Sequence, residues 1–236
     1  MLIRLFIEDK LSGGVVIPLQ GDKLHYVATV MRVENSQAIN VFNDKDGEYK
    51  ASVNYQGRHK AFLNVEEKLK EPEIPSDVWL LFAPVKRDCT DLIAEKASEL
   101  DVSVIMPVIT KRTIVSRVNT SRLKAIAIEA SEQCRRISIP EIREPISLEA
   151  FLQTRNPERR LIFLDETGNG APIAQTLKTI KSEPLAFLVG PEGGFAPEEL
   201  ELLRHAEGAI GVSLDHHILR SETACIAALA LRKYLL

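Results

Sequence analysis

From Val78 onward the chain alternates between short, continuous apolar runs and segments with helical periodicity, and that rhythm admits few architectures. Val78 to Ala83 is the first run. It is followed by Asp88 to Leu100, where Leu92, Ile93, Ala97 and Leu100 share one helical face. Val102 to Ile109 precedes a helix predicted over Thr120 to Arg136, with Thr120 or Ser121 as its N-cap. Leu161 to Leu164 precedes a helix from Pro172 to Ile180, with proline in its first turn. Leu185 to Val189 leads into Pro197 to His205, and Ala209 to Leu214 into Ser221 to Leu235. Strands apolar at every position are buried on both faces. Alternation of strand and helix achieves this in a parallel sheet covered by helices on each side.

The segment before this alternation has a different period. Leu2 to Ile7, Ala38 to Phe42, Tyr49 to Val53 and Ala61 to Val65 are short strand-like runs bounded by Gly, Asn and Asp. Asp44-Lys45-Asp46-Gly47 predicts a hairpin turn with glycine at a positive-φ position. One helix, from Gly21 to Arg32, interrupts the strands, and the hairpin spacing predicts a small β-barrel. Two prolines stiffen Glu71-Pro72-Glu73-Ile74-Pro75-Ser76. The expected division is therefore a barrel over residues 1–70, a linker over 71–76 and an α/β domain over 77–236.

Charge and cysteine usage narrow the setting. Apolar residues are 45% and charged residues 27% of the chain, as in soluble globular proteins, and no apolar run reaches the length of a membrane span. Arg4 and Glu8 bring charge too early for a secretory signal. Cys89, Cys134 and Cys225 lack metal spacing and cannot all pair, so a reduced cytoplasmic chain is expected. The net charge of −3 argues against a nucleic-acid partner, but its distribution does not. Between Lys111 and Arg143 eight basic residues face three acidic ones, whereas Glu71 to Thr110 has three basic and eight acidic. Such a basic stretch either docks a phosphate backbone or is a solvated helix face laced with ion pairs.

The sequence lacks a phosphate-binding G-x-x-x-x-G-K-[ST] loop, a G-x-S-x-G elbow and a dinucleotide fingerprint; Gly168-Asn169-Gly170 has no third glycine. His216 and His217, adjacent on a predicted strand, would point to opposite faces, so no metal site is expected. Two other segments bear on chemistry. Leu188-Val189-Gly190-Pro191-Glu192-Gly193-Gly194-Phe195 and Ile218-Leu219-Arg220-Ser221-Glu222-Thr223-Ala224 each follow a buried strand. An open parallel sheet binds ligands at its carboxyl edge, and glycines there let backbone approach a ligand closely. The glycine segment also reads as a tight turn before the helix at Pro197, with Glu198 and Glu199 suited to its first turn. Arg220, Glu222 and Thr223 stand at the mouth of an apolar helix and require partners, from a polar ligand or a second subunit.

Together these residues resemble the SPOUT class of methyltransferases, and more closely the ribosomal RNA small subunit methyltransferase E family. The resemblance covers nearly the whole chain. It extends to His25-Tyr26-Val27-Ala28-Thr29-Val30-Met31-Arg32-Val33, Lys96-Ala97-Ser98-Glu99-Leu100, Glu129-Ala130-Ser131-Glu132-Gln133-Cys134-Arg135-Arg136 and Ile139-Pro140-Glu141-Ile142. Two departures stand out: Asp101 where the family usually has Gly, and Leu214-Asp215-His216-His217 in place of a Leu-Gly-x-Arg turn.

The resemblance implies an N-terminal PUA-like RNA-binding barrel and a C-terminal α/β domain whose parallel sheet carries a trefoil knot. It implies a homodimer that binds S-adenosylmethionine near the subunit interface and methylates N3 of a uridine in 16S ribosomal RNA. The implied cofactor residues are Leu164, Asp165, Val189, Gly190, Pro191, Gly193, Gly194, Leu214, Ile218, Leu219, Thr223 and Ala224. The implied RNA contacts are Arg32, Lys86, Arg87, Arg112, Arg135 and Arg136. Arg220 either stabilises negative charge developing on the uracil O2–N3–O4 system or anchors a glutamate. Glu192 or Glu222 accepts the N3 proton or orients the loop, and the target base is unstacked or flipped. Two other functions fit the same scaffold, a ribose 2′-O-methyltransferase and a catalytically idle rRNA-binding assembly factor. Against the first, Arg220-Ser221-Glu222-Thr223 replaces the Ser-Leu-Asn-Val segment typical of that group.

Overall fold

The computed structural model describes residues 3–57, 60–115, 117–180, 184–214 and 216–236. The chain divides into two compact units, one of residues 1–74 with 131–139 and one of residues 75–130 with 140–236.

The first unit is a five-stranded sheet in the order β1-β3-β4-β5-β2, where β1 is Arg4–Phe6, β2 Val16–Leu19, β3 Ala38–Asn43, β4 Gly47–Tyr55 and β5 Ala61–Lys70. β1 runs parallel to β3 and the other pairs are antiparallel. β1 and β2 end the order without pairing to each other, so the predicted barrel is an open half-barrel. Alternate residues such as Ala51, Val53, Leu63 and Val65 fill its core. The predicted hairpin turn is present. Asn43 Oδ1 accepts the Lys45 and Asp46 amides at 3.0 and 2.6 Å, and Gly47 has φ +92°. A Cβ on Gly47 would lie 2.2 Å from the Lys70 carbonyl oxygen, so no other residue fits there.

The single helix expected from Gly21 to Arg32 is instead a short α1, Gly21–His25, that widens into a π-helical turn over Tyr26–Val30. Val27, Thr29 and Val30 are β-branched, which disfavours a regular α-helix. Arg32 closes the turn with φ +51°. A buried arginine completes this unit. Arg4 pairs with buried Glu48 at 3.0 Å and donates to the carbonyls of Ser131, Glu132 and Arg136 at 2.9, 3.1 and 3.2 Å. The Ser131 and Glu132 carbonyls lie in the last turn of the helix that finishes at Cys134, where intrahelical donors run out, and the Arg136 carbonyl lies just beyond it. Glu132 in turn accepts the Phe6 amide at 2.9 Å.

In the second unit β6 is Val78–Phe82, α2 Arg87–Glu99, β7 Val104–Ile109 and α3 Thr120–Cys134, the last turn of α3 belonging to the first unit. Then follow β8 (Glu141–Ile142), β9 (Ile146–Ser147), α4 (Leu148–Thr154), β10 (Arg160–Leu164), β11 (Ala171–Pro172) and α5 (Ile173–Thr179). The chain ends with β12 (Leu185–Val189), α6 (Pro197–His205), β13 (Ala209–Ser213) and α7 (Ser221–Leu235). The sheet order is β11-β13-β10-β12-β6-β7-β8, with β9 pairing β7, and every pair is parallel.

Both faces are covered, as the apolar runs require. Leu80, Phe82, Ile162 and Phe187 pack under α2, α5 and α7, while Leu81, Phe163 and Leu188 pack under α4 and α6. β10 lies between β12 and β13, yet β12 feeds a helix on one face and β13 a helix on the other. The chain segments leaving their carboxyl ends therefore part, which opens a crevice there. Asp101, just beyond α2, has φ +66°, so the departure from glycine stands at a left-handed position that glycine adopts without strain.

Candidate active site

A cleft of about 700 Å³ opens at the carboxyl ends of β10, β12 and β13. Of the expected cofactor residues, Leu164, Asp165, Val189, Gly190, Pro191, Gly194, Leu214, Ile218, Leu219 and Ala224 line it, as does Glu192. Gly193 and Thr223 do not: Gly193 turns its carbonyl to Arg112 Nη1 at 2.7 Å, and Thr223 is exposed on α7. The wall also holds Ser221 of the second signature segment, and Glu166, Thr167, Gly168, Gly170, Pro172, Val212, Ser213, His216 and His217, none of which is among the expected cofactor residues. The Gly168-Asn169-Gly170 pair was a visible signal for part of this wall. A Cβ on Gly170 would lie 2.5 Å from the Val212 carbonyl carbon, so glycine lets this loop press against β13.

Side chains from elsewhere hold the glycine segment in shape. Gly194 has φ +68° and donates to the Pro191 carbonyl at 2.8 Å. Glu166 Oε1 accepts the Phe195 amide at 2.9 Å, and Glu199 Oε2 accepts the Ala196 amide at 2.8 Å. Glu199 is wholly buried, and its other oxygen takes the Lys111 amide at 2.8 Å. Ser221, the first residue of α7, donates to the Gly190 carbonyl and ties the two signature segments together. The Phe195 ring supports Gly190 from beneath, where a Cβ would meet it at 3.0 Å. Asp165 lines the cleft with its carboxylate already bound by the Thr167 amide and hydroxyl and by Arg204. Burial pushes its acidity the other way, but those donors outweigh it and hold the carboxyl below the usual range.

The charges of the three expected catalytic residues all act on the thiol of Cys89, in the first turn of α2. Its thiol is pushed up by burial, then by the charge of Glu222 and its hydrogen bond to that carboxylate, and by Glu192, with Arg220 opposing. Glu222 Oε2 is buried with no hydrogen-bond partner among the described residues, whereas Glu192 is exposed at the cleft. Arg220 is the exposed N-cap residue of α7 and forms no ion pair among the described residues. Cys89, which lies on the distant helix that packs beside α7, is not among the residues expected from the sequence.

Among the expected RNA contacts, Arg32, Lys86, Arg87, Arg112 and Arg135 are exposed. Arg136 is corrected. It is 7% exposed, and its Nε donates to Ser138 Oγ at 2.8 Å, so it is an internal residue of the first unit. Much of the basic stretch is ion-paired: Lys111 with Glu198, Arg122 with Asp91, and Arg143 with Glu141. His216 and His217 are also corrected. They lie on the bend after β13, not within a strand, and their ring centroids are 3.8 Å apart. Asp215, part of the second sequence departure, lies outside the described residues. No group of three or more His, Cys, Asp or Glu residues that would hold a metal occurs among the described residues.

Comparison with known proteins matches this geometry. The profile of the RNA methyltransferase domain family matches residues 72–233, and that of the RNA methyltransferase PUA domain matches residues 19–66. The chain is similar to ribosomal RNA small subunit methyltransferase E of Rickettsia conorii, with 33% identity over 96% of this chain and 93% of that one. Among solved structures it is similar to ribosomal RNA small subunit methyltransferase E of Neisseria gonorrhoeae bound to S-adenosylmethionine. The TM-score is 0.87 and the identity 28%, over 98% of this chain and 96% of that one. A methyltransferase of Legionella pneumophila in complex with the same cofactor superposes with a TM-score of 0.83 and 27% identity, over 99% and 97% of the two chains.

Proposed function

The chain belongs to the ribosomal RNA small subunit methyltransferase E family, and on that premise we propose that it methylates N3 of a uridine in 16S ribosomal RNA, with S-adenosylmethionine as donor. The observation that carries this reading is the cleft, because both signature segments line it at the carboxyl edge of the parallel sheet. Its residues fit the donor. Leu164, Val189, Leu214, Ile218, Leu219 and Ala224 give apolar walls for a nucleoside, and the Gly190–Gly194 backbone gives polar edges. When bound, S-adenosylmethionine supplies an already activated methyl group, so the protein's work is mainly to position the reactants.

The chain's own residues then divide the remaining work. Uridine N3 loses a proton as its bond to carbon forms, and the acceptor must reach the base. Glu192, exposed at the cleft, is the group placed to accept it; the uncommitted oxygen of Glu222 is buried. Glu222, in the first turn of α7, directs its carboxylate charge at the Cys89 thiol of α2. Arg220, free of any ion pair among the described residues, is available to stabilise negative charge spreading over the uracil ring. Lys86 and Arg87, exposed at the start of the helix that carries Cys89, and Arg112, against the glycine segment, supply phosphate contacts beside the reacting end. Arg32 and Arg135 supply further contacts from the first unit.

A knotted chain and a homodimer belong to the same reading. The placement of β10 between β12 and β13 supports the first, and exposed Ile218, Tyr234 and Leu236 support the second. No helix among the described residues is long and apolar enough to cross a membrane. Two measurements test the proposal. Calorimetric titration with S-adenosylmethionine should show one site per chain. Mass spectrometry of 16S rRNA nucleosides from a strain lacking the gene should show loss of N3-methyluridine, restored by the wild type and not by Glu192→Gln. An unchanged nucleoside profile in the deletion strain would remove the assignment.

A further inference from the structure

We propose that Glu166 is the positioning residue that gives the glycine segment its cofactor-binding shape; the inference rests on reading the cleft as an S-adenosylmethionine site. Three side chains from outside the segment brace residues 193–196: Arg112 at the Gly193 carbonyl, Glu166 at the Phe195 amide and Glu199 at the Ala196 amide. Of these, only Glu166 also lines the cleft. Phe195 is 2% exposed, so without Glu166 its amide has little access to water as a substitute acceptor.

The contact is closer than a hydrogen bond alone. A Cβ built on Gly194 would lie 2.1 Å from Glu166 Oε1, so the carboxylate rests directly over the Gly194 Cα. Glycine is therefore required at this position by its φ of +68° and again by the carboxylate. Holding the Phe195 amide also holds the Phe195 ring against Gly190, and the Gly190 carbonyl accepts the Ser221 hydroxyl. One side chain thus fixes the cleft-lining part of both signature segments. Freed from it, the segment populates its binding shape for a smaller fraction of the time, and apparent affinity falls by that fraction.

The test uses the full-length protein with S-adenosylhomocysteine as the calorimetric probe, and amide hydrogen exchange at Phe195 read by NMR. Glu166→Ala should weaken binding about tenfold and speed Phe195 exchange by a similar factor, since both report the same open fraction. Glu166→Gln keeps an acceptor oxygen at the same reach and should restore both to within about twofold of the wild type. A purely structural role would lower global stability without singling out the Phe195 amide. Wild-type binding by the alanine variant overturns the proposal. So does an equal loss in alanine and glutamine variants, which would show that the charge contacts the ligand directly. If the wild type binds no S-adenosylhomocysteine, the reading of the cleft fails. The exchange rate at Phe195 in Glu166→Ala then still decides whether Glu166 holds the segment.

Discussion

Gly193 and Gly194 are neighbours of the same type, and the structure predicts that they respond very differently to alanine. Gly194→Ala places a methyl group where the Glu166 carboxylate lies, 2.1 Å away, at a residue with φ +68°. The left-handed backbone costs a non-glycine residue about 1–2 kcal/mol. Glu166 must swing aside, and losing a charged acceptor from a buried amide costs about 1.5–3 kcal/mol. The sum is about 2.5–5 kcal/mol against the folded cleft. Gly193→Ala meets only the Arg112 side chain at 3.7 Å, an ordinary contact, and should cost less than about 1 kcal/mol. In a Glu166→Ala background the displaced carboxylate is already gone. Gly194→Ala then pays only the backbone cost, and the two substitutions couple by about 1.5–3 kcal/mol. Urea unfolding of the wild type, the two single variants and the double variant measures that coupling, and titration with S-adenosylhomocysteine follows the cleft. Additivity to within about 0.5 kcal/mol, or a Gly193→Ala variant as unstable as Gly194→Ala, would refute the reasoning.

Three further outcomes follow from the charged groups. Arg220→Ala should slow turnover at least about tenfold, worth about 1.4 kcal/mol, with little change in cofactor affinity, and lysine should not restore it; normal turnover in single-turnover assays would dismiss its role. Burial pushes the Glu48 carboxyl up, but hydrogen bonds from Arg4 and Asn40 outweigh this and hold it below its ordinary value of 4.5. A lowered folded pKa stabilises the protein above that ordinary value, and the benefit is lost as pH falls through the folded value. Thermal melts should therefore decline below about pH 4.5 in the wild type, and Glu48→Gln should flatten that decline; parallel acid limbs would contradict the assignment. Arg135→Glu should lower the salt dependence of RNA binding by about one unit in slope, whereas Arg136→Glu should destabilise the fold, as an unpaired buried charge does; equal melting temperatures for the two would reverse their placement.

The parallel sheet was legible because its central strands β6, β7 and β12 are apolar at every position, a signal carried within five or six residues, whereas the two-residue strands β8, β9 and β11 carry none. β12, α6 and α7 begin and end where the sequence period places them. α4 was not legible: it has seven residues and only two buried side chains, too few to establish a period. Nor was the assignment of residues 131–139 to the first unit. That depends on Arg4 reaching carbonyls 127 to 132 positions away, and no local pattern marks which arginine will be buried.

The same division between local and distant signals runs through the cleft. A glycine announces that its backbone is unusual or that something approaches closely, but not what approaches. At Gly168, with φ +79° and open space where a Cβ would stand, the backbone alone demands glycine. At Gly170 the neighbouring β13 backbone demands it. At Gly194 the sequence reading reserved the space for a ligand, whereas the structure fills it with Glu166, 28 positions earlier in the chain. Three glycines of one cleft therefore answer to three different demands, one of the backbone itself and two of a neighbour. Substituting one tests ligand contact only after the side chain or strand that already occupies its space has been accounted for.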